Sequence, residues 1–188
     1  TILIAPSPIT QLRGYDVTQI HERFEEVIKN LAKQLQNVDV DVIFKIHPSQ
    51  SEHNNEIIQM IKKYVKQPVI FLFNPVVNLI ESSDLIITIT PEGWAPSTIM
   101  LEGMILGKPV LNIILDEKIY DFEYIKMNAA IASSFDSFTN ILSKLINDIE
   151  YRNVISTNGK VFSKKFLCNY GNSSEKLAKI LTDERKIS

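Results

Sequence analysis

The chain has 188 residues, 45% of them hydrophobic and 22% charged, which suits one globular domain large enough to bury a substantial core. Its formal net charge of -2, with no block of like charges, supplies no field for holding nucleic acid or anionic lipid. The single cysteine, Cys168, excludes an internal disulfide framework, and no apolar run approaches the roughly 20 residues that span a bilayer.

The chain opens Thr1-Ile2-Leu3-Ile4 without a signal-peptide pattern, and a strand at the first residue leads us to expect a domain cut from a longer protein. Residues 2–5 read as that strand, ended by Pro6-Ser7-Pro8. Phe24, Val27, Ile28, Leu31 and Leu35 then fall on one face of a helix. Residues 40–46 form a second strand closed by His47-Pro48, in which Lys45 is taken as an edge or surface charge. Ser51 caps a helix carrying Ile57, Ile58, Ile61 and Val65. Residues 69–73 are a third strand, followed by a helical turn over 77–81.

Residues 84–90 form a fourth strand, apolar or threonine at nearly every position, as expected of a central parallel strand buried on both faces. A helix over 96–106 ends at Gly107, and Pro109 stops its continuation. Residues 110–115 and 129–132 give two more strands. Phe138, Ile141, Leu142, Leu145 and Ile149 mark another amphipathic helix, and residues 151–181 read as two helices broken near Gly171. Alternating strands and helices imply an α/β domain over 1–188, with a Rossmann-like parallel sheet and helices on both faces. Ligands of such sheets bind beyond the carboxyl ends of the strands.

The strongest local signal is Ser83-Asp84-Leu85-Ile86-Ile87-Thr88, then Pro96-Ser97-Thr98 to Glu102-Gly103, then Gly107-Lys108-Pro109. The first turn of a helix presents unpaired N–H groups and the positive end of its dipole, which suit a phosphate. Ser97 and Thr98 add hydroxyls there. Glu102 lies one turn on, and helical side chains lean toward the N-terminus, so its carboxylate can reach the diol of a ribose. The same residues also make an ordinary helix start, with Glu102 a solvated side chain. His47 is a phosphate ligand or a turn histidine before a rigid proline; Arg13 pairs with a phosphate or is solvated. His21 and His53 lie on helix surfaces, and no cluster has metal-ligand spacing, so no protein-held metal is expected. No Gly-x-Gly-x-x-Gly follows the first strand and no Walker lysine pattern occurs, which weighs against a dinucleotide oxidoreductase or a P-loop NTPase.

Together these segments resemble the C-terminal nucleotide-binding domain of GT-B glycosyltransferases, in particular CDP-glycerol glycerophosphotransferases and capsule polysaccharide transferases. The matching residues are Ala5-Pro6-Ser7, Lys45-Ile46-His47-Pro48, and the run from Ser83 through Ser97-Thr98 and Glu102 to Gly107-Lys108-Pro109. UDP-N-acetylglucosamine 2-epimerases share a similar serine and glutamate arrangement. The resemblance implies transfer of a sugar or polyol phosphate from a nucleotide-sugar or CDP-polyol donor in polysaccharide biosynthesis, without a further cofactor. Ser97, Thr98, Ser7 and Arg13 would hold the donor phosphates, Glu102 the ribose, and Phe73, Asn74 and Val76 the base. His47 would contact the phosphates or assist the leaving group. The chain departs from the family in lacking the acidic residue before the serine pair and in the longer loop Pro91-Glu92-Gly93-Trp94-Ala95. Glu92 and Trp94 line the sugar or acceptor pocket, or Trp94 only pins the loop. The acceptor-binding N-terminal domain, which normally supplies the catalytic base, is not in this sequence, so the fragment alone is expected to be inactive. A cytoplasmic setting is expected, with any contact to the inner membrane face made by the full-length protein. An epimerase and a non-catalytic nucleotide-binding module are the alternatives.

Overall fold

The computed structural model describes residues 1–8, 16–48, 54–92, 96–167 and 171–184. Its elements alternate along the chain. The first half runs β1 (Ile2–Pro6), α1 (Val17–Leu35), β2 (Val42–Lys45), α2 (Asn54–Tyr64), β3 (Val69–Phe71) and α3 (Val76–Glu81). The second runs β4 (Leu85–Thr90), α4 (Thr98–Ile105), β5 (Val110–Ile114), α5 (Glu123–Lys126), β6 (Ile131–Ser134), α6 (Phe138–Asn147), α7 (Ile149–Phe166) and α8 (Ser173–Glu184). The elements read from periodicity are present with shifted ends, while the single-turn α5 was not foreseen. Ser51, expected to cap α2, and Cys168 lie outside the described residues.

All six strands are parallel, in the order β3-β2-β1-β4-β5-β6. The direction of strand progression therefore reverses between β1 and β4, which makes their carboxyl ends the topological switch point of an α/β sheet. Every position of β1, β4 and β5 is buried. Alternate side chains serve opposite faces, as the period of a strand requires. Ile2, Ile4, Ile87 and Ile113 join Phe24 and Ile28 of α1, Ile57 and Ile61 of α2, and Leu142 of α6 in one core layer. Leu3, Ile86 and Val110 join Ile80 of α3, Met100 and Met104 of α4, Tyr124 of α5 and Phe162 of α7 in the other. Each such side chain contributes about 1.5–3 kcal/mol when fully buried.

Helix α1 starts where Asp16 accepts hydrogen bonds from the N–H groups of Thr18 and Gln19, at 2.9 and 3.4 Å. Helix α4 ends as its glycine leads one to expect. Gly107 has φ +68°, its N–H donates to Met104 O, and the Lys108 N–H donates to Gly103 O. These are the paired bonds of a Schellman motif.

Gly103 lets α4 lie close on the sheet. A Cβ there would stand 2.5 Å from Ile86 Cδ1 and 3.3 Å from Val110 Cγ2, both from buried residues of β4 and β5. Gly103→Ala is therefore expected to cost about 1–3 kcal/mol, despite the better helix propensity of alanine. Denaturant unfolding measures this, and an unchanged midpoint would mean that Ile86 simply turns aside.

Candidate functional site

The carboxyl ends of β1 and β2 part just where the chain leaves the sheet, while β2 stays paired with β3 to its end. The β1–β2 ladder stops at the pair Ile4 and Phe44, whereas β1 stays with β4 as far as Pro6 and Ile89. The Ser7 N–H then donates to Ile89 O at 2.8 Å, fixing the strand end beside β4. Above this divergence opens a pocket of about 580 Å³. Ala5 to Pro8 form one part of its lining and Lys45 to Pro48 another. Leu72, Phe73, Asn74 and Val76 close the β3 side, and Ser97, Thr98, Ile99 and Glu102 come from the start of α4.

Of the residues singled out in the sequence, Ser7, His47, Phe73, Asn74, Val76, Ser97, Thr98 and Glu102 all line this pocket. Glu92 is half-buried and is not part of the lining. Arg13 and Trp94 lie outside the described residues.

Ser97 is the N-cap residue of α4, with extended backbone angles, and its carbonyl accepts the first helical bond, from the Leu101 N–H. A serine here ordinarily turns its hydroxyl onto the N–H of the second or third helical residue. Ser97 does not: it makes no side-chain capping bond, and its Oγ is buried without a hydrogen-bond partner among the described residues. Glu102 Oε2 is likewise buried and unpartnered among them. The burial raises the Glu102 carboxyl above the ordinary glutamate range. Buried polar atoms are nearly always paired, so two unpartnered oxygens on one helix facing one pocket call for an explanation. Thr98 is exposed at the pocket mouth.

His47 follows β2 at the pocket rim and is exposed there. Partial desolvation lowers its pKa, and the positive charge of Lys45 lowers it further. Phe73 offers an aromatic ring that is 82% exposed, an unusual setting for so large an apolar side chain.

Lys45 corrects the sequence reading. It is not a surface charge: it is only 9% exposed, and its Nζ donates to Ile46 O and Leu72 O, each at 2.8 Å. The expectation failed because β2 is an interior strand, flanked by β1 and β3. Lys45 thus turns to a face that α3 and α4 help to cover, opposite Phe44 and Ile46. Its i, i+2 relation to His47 was the available signal that both reach one side of the strand. Desolvation lowers the Lys45 pKa.

A second buried polar group lies deeper, between β4 and β5. Asn112 Oδ1 accepts hydrogen bonds from Thr88 Oγ1 and Thr90 Oγ1, both at 2.9 Å, and all three residues are buried. This bridge joins the strand that leads to Ser97 to its neighbour.

No protein-family model matches the sequence, and no curated protein does either. Solved structures do match in fold. Anabaena HepE in complex with UDP-glucose aligns with a TM-score of 0.67 at 14% identity, over 97% of this chain and 48% of that one. The C-terminal domain of the Francisella tularensis group 1 glycosyl transferase LpcC aligns with a TM-score of 0.59 at 19% identity, over 87% of this chain and 85% of that one. A candidate UDP-N-acetylglucosamine 2-epimerase from Listeria monocytogenes gives a TM-score of 0.59 at 15% identity, over 93% and 45%. At such identities the likeness is one of fold: the chain has the Rossmann-like α/β architecture found in GT-B glycosyltransferases. It spans about half the length of the HepE chain. Among the described residues, no helix is long and apolar enough to cross a membrane.

Proposed function

We propose that this chain is the nucleotide-donor-binding domain of a glycosyltransferase-type enzyme, which transfers a sugar or polyol phosphate from a nucleotide-activated donor. The observation that carries the reading is the pair of buried, unpartnered oxygens, Ser97 Oγ and Glu102 Oε2, on one helix at the switch point of the sheet. A nucleotide satisfies both. Its phosphates take the N–H groups at the start of α4 with the hydroxyls of Ser97, Thr98 and Ser7, and its ribose diol donates to Glu102. The exposed Phe73 ring provides a stacking surface for the base, with Asn74 and Val76 beside it. His47 at the rim contacts the phosphates and, once protonated, offsets the charge that develops on the departing nucleotide.

UDP is the nucleotide to test first, because the HepE structures hold UDP and UDP-glucose. A CDP-polyol donor is the narrower form of the proposal, supported by the motif order around His47-Pro48 and Ser97-Thr98. Calorimetric titration of UDP, CDP and GDP is the direct test. Ser97→Ala should weaken the preferred nucleotide about tenfold, the loss of one hydrogen bond to a charged group. Equal affinity in Ser97→Ala, Glu102→Ala and the unaltered chain would sink the assignment.

The Listeria neighbour favours a second reading on the same site, nucleotide-sugar epimerisation. Product analysis separates the two, since an epimerase returns its donor with one inverted centre and transfers nothing. Nucleotide binding by a full-length protein that consumes no donor would instead mark a binding module.

A further inference from the structure

Lys45 is the one charge in the described pocket lining that the nucleotide reading, as stated, leaves unused. Its ammonium has three donors, and two of them go to neutral carbonyls, Ile46 O and Leu72 O. Lys108 Nζ also donates to a carbonyl, Glu81 O, at 2.9 Å, but three other lysines meet carboxylates: Lys63 with Glu25, Lys126 with Asp121, and Lys165 with Glu123. Those three lysines are all exposed. Lys45 has the opposite setting, for it is 9% exposed and forms no ion pair among the described residues. Holding an ammonium out of water without a counter-charge is costly, and tying the ends of β2 and β3 together needs only a neutral donor. The other charged group described in the lining that resides on a helix, Glu102, forms no ion pair with it.

We propose that Lys45 is the cation that receives the anionic end of the ligand, the distal phosphate of a nucleoside diphosphate, while Glu102 receives its diol. The proposal rests on the donor-binding reading and deepens it. It gives the pocket an electrical direction, with a positive group at the end of β2 and a negative one on α4. A ligand enters with its phosphates toward the sheet edge at Lys45 and Ser97 and its sugar diol toward Glu102. A nucleoside without phosphates leaves Lys45 unused, so the lysine selects for the diphosphate. The carbonyls of Ile46 and Leu72 hold the ammonium in place, so little side-chain freedom remains to be lost when the anion arrives.

The test uses inorganic pyrophosphate, UDP and uridine as separate calorimetric probes of the unaltered chain and of Lys45→Met. Lys45→Met should weaken pyrophosphate and UDP about ten- to a hundredfold and leave uridine unchanged. Unchanged pyrophosphate and UDP affinity would overturn the proposal. So would a parallel loss of uridine, which marks Lys45 as a tether between β2 and β3 only. Lysine-dependent pyrophosphate binding without any preference for UDP would keep Lys45 as the anion site and reject the nucleotide reading. Where Lys45→Met does not fold, the Lys45 Cε resonance of the unaltered chain is followed against pH with and without pyrophosphate. A pKa raised by pyrophosphate supports the contact, and an unmoved one overturns it.

Discussion

Glu102→Ala raises the thermal stability of the ligand-free domain and lowers its affinity for a ribonucleoside diphosphate. The two effects have one origin. Glu102 Oε2 is buried without a partner among the described residues, and burial raises the carboxyl above the ordinary glutamate range. A carboxyl with a raised folded pKa keeps its proton in the folded state while the unfolded chain has already released it. Stability therefore falls as pH rises from the ordinary glutamate value through the raised one, and the penalty is complete above that window. The gain from alanine is then largest above that window and shrinks below it, moderated by solvent because the side chain is only half-buried. Alanine is also the better helix former. Binding moves the other way: hydrogen bonds to a charged group contribute about 1.5–3 kcal/mol, a ten- to hundredfold loss when removed. Scanning fluorimetry between mildly acid and neutral pH measures the first effect, and calorimetry with UDP and 2′-deoxy-UDP the second. The deoxy ligand should feel the substitution less. A destabilised variant with unchanged UDP affinity would make Glu102 an ordinary structural residue.

Asn112→Ala is expected to be the most damaging single truncation outside the apolar core. Its Oδ1 receives both threonine hydroxyls of β4, at full burial. Alanine leaves Thr88 Oγ1 and Thr90 Oγ1 without that acceptor, at about 1–3 kcal/mol each, and adds a cavity. The sum, on the order of 4 kcal/mol, is a large part of the roughly 5–15 kcal/mol that holds such a domain together. The melting temperature should fall by on the order of 10 °C. Adding Thr88→Val and Thr90→Val to Asn112→Ala should restore part of it, because the two hydroxyls that lost their acceptor are removed with it, while the cavity and the buried Tyr124 hydroxyl, which accepts from Asn112 Nδ2 at 3.5 Å, remain. Should Asn112→Ala alone lose less than about 0.5 kcal/mol, the threonines have other acceptors within reach.

Those two sites differ in how far the sequence discloses them. Strands such as β4, apolar or threonine throughout, announce burial on both faces, and α1 shows its core stripe at helical spacing. The meeting of Ser7, His47 and Ser97 at one sheet edge follows from the rule that ligands gather at the carboxyl ends of parallel strands. What stayed hidden depended on neighbours. Lys45 reads as a surface charge until β3 is known to lie outside β2. Asn112 sits in the run Val110-Leu111-Asn112-Ile113, where nothing local shows two hydroxyls from another strand aimed at it. Helix α5, at four residues, is too short for any periodicity to develop. That Ser97 declines to cap its own helix is a rotamer choice no spacing encodes.

The place of β1 in mid-sheet also sets an order of assembly. Its partner on one side, β2, arrives after a single helix, but Ile2 must wait for Leu85 before its other edge is covered. Long loops close slowly and leave apolar edges open meanwhile. Until β4 docks, the half-sheet of β1, β2 and β3 presents the bare side of a fully apolar strand, a ready template for another chain. The pocket is built across that same seam, with Ser7 and Lys45 from the early half and Ser97 and Glu102 from the late one. A ligand that bridges them would bind only the closed sheet, and so would stabilise the join between its two halves.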